Sequence, residues 1–114
     1  MTNWTTLPHE KLVAYQVAKE LLAEVQRAQI SDPKLRDQAM RAAMSACLNI
    51  AEAAGRQSAA DQKRVFAIAR GEASEAAAAL DIAASARLCS TDSARIGGAF
   101  ARRAYALLTG LIRK

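Results

Sequence analysis

The sequence predicts an all-α protein, a small four-helix bundle with antiparallel, up-down helices. Three observations carry that expectation. Hydrophobic residues make up 52% of the chain, yet only 4% are aromatic, and alanine is by far the commonest apolar residue. Alanine loses no side-chain entropy in a helix. β-branched residues are few and scattered. Apolar residues recur at helical spacing in four segments, each closed by a Ser/Asp/Pro or Gly stop. A chain of 114 residues reads as one domain, 1–114. Its core is modest, so self-association would add to it.

The first helix is expected over about 8–29. Pro8 suits a first helical position, where its missing N–H costs nothing. Ala14, Ala18, Leu21, Val25 and Ala28 form its apolar stripe, widened by Val17 and Leu22. Glu20, Glu24, Lys19 and Arg27 fall on the polar side and are expected in solvent. Trp4 precedes the helix and is expected to cap the bundle end. His9 lacks catalytic or ligating neighbours and is expected in solvent.

Ser31-Asp32-Pro33 ends that helix and starts the next, about 33–54, with a Ser31 or Asp32 cap. Ala39, Ala43, Ala46, Cys47, Ile50 and Ala54 form its stripe, with Met40 and Met44 beside it as core or oligomer filler. Gly55 is expected to end it in the left-handed conformation. The short Arg56-Gln57 link makes the second and third helices antiparallel neighbours. Ser58 caps the third, about 58–88, whose stripe runs Phe66, Ala69, Ala73, Ala76, Leu80, Ala83 and Leu88. Gly71 interrupts it and predicts a close helix crossing there. Ser90 to Ser93 caps the fourth, about 92–112, with Ile96, Phe100, Ala104, Leu107 and Leu111 in one quadrant of the wheel.

The chemistry-bearing patterns are mostly absent. One histidine cannot supply a nucleophile pair, and no phosphate-binding glycine motif occurs. Glu52, Glu72 and Glu75 lack the Glu-x-x-His partners of a di-iron site. No enzyme, metal or cofactor is expected. Cys47 and Cys89 read as small buried thiols in a reducing cytoplasm. No apolar run reaches the ~18–20 residues of a membrane span, and the N-terminus is not patterned as a signal peptide.

Charge is unevenly placed. The net +5 arises wholly within residues 93–114, where Arg95, Arg102, Arg103, Arg113 and Lys114 stand without an acid. Residues 1–92 balance. Arg95, Arg102 and Arg113 share one line along the fourth helix, a face suited to phosphates in a sequence-independent, salt-dependent mode. Arg103 sits at the edge of the apolar face, either paired with an acid or directed into an interface. Arg56, Lys63 and Arg64 form a second basic group near the central corner. Glu52, Arg56, Arg70 and Glu75, with Asn49, Gly55 and Ser58, read as an ion-pair and hydrogen-bond network that locks that corner. The RNP aromatics, KH loop and zinc finger of known RNA- or DNA-binding modules are missing.

Asn49-Ile50-Ala51-Glu52, Gly55-Arg56, Ser58, Asp61, Phe66, Ile68-Ala69-Arg70-Gly71, Glu75 and Leu80 resemble the signature of the 23S rRNA-intervening-sequence family. LVAYQVAKELL resembles that family's opening, with Tyr15 where Trp is common. Ala53 stands where the family has Gly, and Glu72 where it has Ser. The resemblance implies an antiparallel four-helix bundle assembled as a homopentameric ring with a basic, RNA- or DNA-binding surface. It extends to the accessory variability proteins of diversity-generating retroelements, whose ring binds a reverse transcriptase. A protein-interaction scaffold and a purely structural oligomer therefore stand as alternatives to nucleic-acid binding.

Overall fold

Leu12 divides the first predicted helix in two. The computed structural model describes residues 5–114, so the expected cap by Trp4 lies outside the described residues. Pro8–Lys11 forms one 3-10 turn, closed by the Glu10 carboxylate accepting from the Leu7 N–H. Leu12 is then extended (φ −82°, ψ 123°), and α1 runs Val13–Ala28. The break turns Leu12 inward against the cluster that holds Phe66 and Leu108. It also lays His9 edge-on to Tyr15, with centroids 4.6 Å apart, so His9 is half-buried rather than in solvent.

The next two helices begin at their expected caps. α2 spans Pro33–Ala54, with the Asp32 carboxylate accepting from the Leu35 N–H at 2.9 Å. α3 spans Ala59–Ser85, with Ser58 Oγ accepting from the Asp61 N–H at 3.1 Å. Such caps satisfy backbone donors that have no partner inside the helix. Gly55 closes α2 in the right-handed region (φ −88°, ψ −5°), not the left-handed one. Its N–H donates to the Ala51 and Glu52 carbonyls, so the helix simply runs out into the corner.

α3 stops three residues before the expected Leu88 because Arg87 takes the left-handed conformation (φ 62°). The Arg87 N–H donates to the Ala84 carbonyl at 3.0 Å and the Leu88 N–H to the Ala83 carbonyl at 2.7 Å. That pair of bonds is a Schellman stop built without glycine. It frees the Leu88 carbonyl to accept from the Ser31 N–H at 2.9 Å, joining the two links at this end of the molecule. α4 spans Thr91–Ile112 behind the Ser90 cap.

α2 packs on α1 and α3, α4 packs on α3 and α1, and α1 and α3 touch across the diagonal. Among the described residues α2 and α4 do not meet, and no strand forms. The result is a slab of 49 × 34 × 21 Å, about two helix diameters thick. The core divides into an alanine-rich cluster around Leu21, Ile30 and Leu80, and a second around Ile50, Phe66 and Leu108.

The close crossing lies elsewhere than expected. A Cβ on Gly71 would meet nothing within 4 Å, because Gly71 faces solvent. A Cβ on Gly97 would overlap Leu80 Cδ1, inside the core, and lie 3.7 Å from Glu24 Cβ. Gly97 thus sets the approach of α4 to α3 and α1. The same approach covers Glu24, which is 9% exposed and not on the solvated face. Its carboxylate keeps the Arg27 Nε at 3.2 Å. The innermost face of α4 is Gly97, Ala101, Ala104 and Leu108. Ile96, Phe100, Leu107 and Leu111 flank it half-buried. Small residues take the narrowest seam, and the bulky ones fill its side.

Candidate nucleic-acid interface

The corner network is smaller than its motif. The Arg56 guanidinium bridges Glu52, one turn back on α2, and Asp61 at 3.4 Å on α3. Arg56 Nε is buried there without a partner. Arg64 donates two hydrogen bonds to Asp61, at 3.1 and 2.8 Å. The Arg64 hydrogen bonds, with the nearby charge of Arg56 and Arg64, hold the Asp61 carboxyl below the usual carboxylate range. Arg56 and Arg64 therefore spend their charge on acids within the corner.

Three residues assigned to that network belong elsewhere. Arg70 reaches α4, donating to Thr109 Oγ1 at 3.0 Å and lying 5.0 Å from the Tyr105 ring centroid. Such a cation–π contact favours a fixed guanidinium. Glu75 meets Arg41 at 3.5 Å across α2 and α3. Asn49 turns back along its own helix to the Ser45 carbonyl and hydroxyl, at 2.9 and 3.0 Å. Helix spacing explains both departures: Arg70 and Glu75 fall on opposite flanks of α3. Ser58 and Gly55 remain at the corner as cap and exit.

The α4 arginines are differently placed. Arg95 pairs with Asp92 at 3.0 Å, an exposed contact one turn away on its own helix. Arg102, Arg103 and Arg113 are exposed and form no ion pair among the described residues. Arg103, at the edge of the apolar stripe by sequence, thus projects free of an acid. From Arg95 to Arg113 the helix rises roughly 27 Å. The line has two ends with different surroundings. Arg95 and Arg102 line an open cleft of about 360 Å³ with Asp81, Ser85 and Thr91, between the end of α3 and the start of α4. Lys114 lies at the other end, where it and Lys63 line a cleft of about 270 Å³ floored by Phe66 and Leu111.

Sequence reasoning missed Asp81 and Ser85, because the turn at Arg87 brings them beside the α4 arginines, and it read Thr91, one turn before Arg95, only as part of a cap. It also missed how much apolar surface stays outside. Leu48 is 71% exposed and Met44 45%, beside Tyr15, Leu22 and Cys47 in a groove between α1 and α2. Both cysteines are free thiols. Cys47 is buried and Cys89 half-buried, and burial pushes both thiols up. Among the described residues no His/Cys/Asp/Glu group is spaced to hold a metal, and no helix is long and apolar enough to cross a membrane.

The fold has a solved counterpart. A protein of unknown function from the S23 ribosomal protein family of Bacteroides thetaiotaomicron superposes with a TM-score of 0.80 at 21% identity. The match covers 90% of this chain and all of that one. No curated protein matches the chain. Residues 10–109 match the model of the family described as 23S rRNA-intervening sequence protein. That span holds α1, α2, α3 and all but the last turn of α4, and the chain belongs to the 23S rRNA-intervening sequence protein family.

Proposed function

We propose that this chain is a non-catalytic, oligomeric nucleic-acid-binding protein that grips RNA or DNA phosphates through α4. The observation that carries the reading is the set of Arg102, Arg103 and Arg113, exposed and without ion pairs among the described residues, in the segment 93–114 that holds the whole charge excess. Arginine matches phosphate oxygens with a planar fork of donors. Arg95 joins them once its exposed pair with Asp92 yields, since such surface pairs contribute only about 0–1 kcal/mol. The family description, which names 23S rRNA, is consistent with this chemistry.

The scaffold we infer is an antiparallel, up-down bundle. Arg41 meets Glu75 while Gln62 reaches back to Ala54, and Arg70 meets Thr109 while Leu80 meets Gly97. Self-association into a ring of five follows the family resemblance, and a cytoplasmic place follows the two free thiols. Exposed Leu48, Ile82 and Val13 leave apolar surface on three helices for contacts between copies. In a ring, modest phosphate contacts gain by avidity. The second reading is a protein-interaction scaffold, with a reverse transcriptase or another protein as partner. The Met44–Leu48 groove favours it.

Light scattering with the 260/280 absorbance ratio tests both levels. The proposal expects an oligomer, low-salt RNA binding that falls steeply with added salt, and weaker binding by Arg95→Glu/Arg102→Glu at unchanged mass. A monomer that binds no nucleic acid at low salt contradicts it.

A further inference from the structure

We infer that the cleft between the end of α3 and the start of α4 holds one unpaired guanine nucleotide, its phosphate on Arg102 and Arg95 and its base edge on Asp81. The inference rests on the nucleic-acid reading and adds a site and a base to it.

The cleft mixes signs in a way that a bare phosphate site would not. Arg95 and Arg102 supply the cations, and Ser85 and Thr91 bring hydroxyls to the same walls. Asp81 adds a carboxylate that has no ion-pair partner among the described residues. An ionised carboxylate only accepts hydrogen bonds. A ligand that meets both signs in this cleft carries donors as well as an anion. Guanine presents two adjacent donors, N1–H and the N2 amino group, to the two oxygens of one carboxylate. Uracil offers one N–H between two carbonyls, which repel a carboxylate. Paired bases have this edge occupied, so the site takes an unpaired nucleotide, the form in which RNA edges are usually read.

The Arg102 guanidinium lies back along its own helix over Gly98. Its flat face can serve as a stacking surface, a role that guanidinium planes take in single-strand recognition. The volume, about 360 Å³, lies at the small end of the range for ligand clefts.

Fluorescence anisotropy with labelled twelve-residue RNAs tests the assignment at fixed low salt: all uridine, all uridine with one central guanosine, and the same with inosine, which lacks the N2 amino group. Guanosine should tighten binding roughly tenfold over uridine, within the discrimination of a good bidentate pair. Inosine should lose most of that gain. Asp81→Asn should remove the guanosine preference and leave affinity for the uridine strand equal or higher. Arg102→Ala should weaken both strands, and Arg113→Ala should weaken both without touching the preference. A uridine strand that binds the wild type with no gain from guanosine overturns the site and leaves the phosphate reading standing. A preference that survives Asp81→Asn does the same. Absence of binding to every strand overturns both.

Discussion

The α2–α3 corner and the α3–α4 junction have the same general plan, a capped turn between two long helices, but they divide the work differently. The corner holds most of the distinctive sequence, and its charges are consumed there: Glu52, Arg56, Asp61 and Arg64 pair with one another. The junction reads as ordinary alanine-rich helix. Yet it holds the close approach at Gly97, the left-handed stop at Arg87, and the unpaired Arg102. A conspicuous motif can mark geometry, while availability for a partner is marked by charge that no neighbour neutralises.

Substitutions can break that contrast. The largest effect belongs to Gly97→Ala. Leu80 is fully buried and cannot step aside, so overpacking should cost about 1–3 kcal/mol in urea denaturation. A neutral Gly97→Ala would mean that α4 does not sit as close as described. Arg87→Gly should act in the opposite direction. It removes a left-handed penalty of roughly 1–2 kcal/mol per residue, partly offset by glycine's greater loss of chain entropy, and the net gain should raise the melting midpoint. Gly71→Ala should stabilise by up to about 1 kcal/mol, because it fills open space on an exposed helix. A loss at Gly71 would restore the crossing that the sequence suggested there.

The smallest effect is on pH. Asp61's carboxyl is lowered in the folded state, first by the Arg64 hydrogen bonds. Its contribution is complete above the ordinary carboxylate range and is lost as pH falls through the folded value. Arg64→Ala should therefore flatten the acid limb of the stability profile slightly. No change in that limb would remove the corner pair from the stability account.

Much of the fold was legible, and the exceptions have physical causes. Asp32, Ser58 and Ser90 each cap the helix they were expected to cap, because the cap signal is local: one hydroxyl or carboxylate and one nearby N–H. Gly55 and Gly71 misled because glycine permits a left-handed turn or a close crossing without requiring either. Arg87 gave no signal at all, since its conformation is imposed by the Ala83 and Ala84 carbonyls and by the Leu88–Ser31 bond. Glu24 looked solvated by helix periodicity and was covered by a helix far away in sequence. The site divided in the same manner. Arg95 and Arg102 could be read from spacing and net charge. Asp81 and Ser85 could not, because only the turn between α3 and α4 places them there.

On the proposed reading, α4 and not the motif-bearing corner carries the nucleic-acid contacts. The most direct measurement is the slope of log affinity against log salt for a single-stranded RNA, taken for the wild type, Arg102→Ala, Arg113→Ala and Arg56→Ala. Each lost phosphate contact lowers a single-strand slope by about 0.7. The account predicts that reduction for Arg102→Ala and for Arg113→Ala, and the wild-type slope for Arg56→Ala. A slope that falls with Arg56 and ignores both α4 arginines would contradict it.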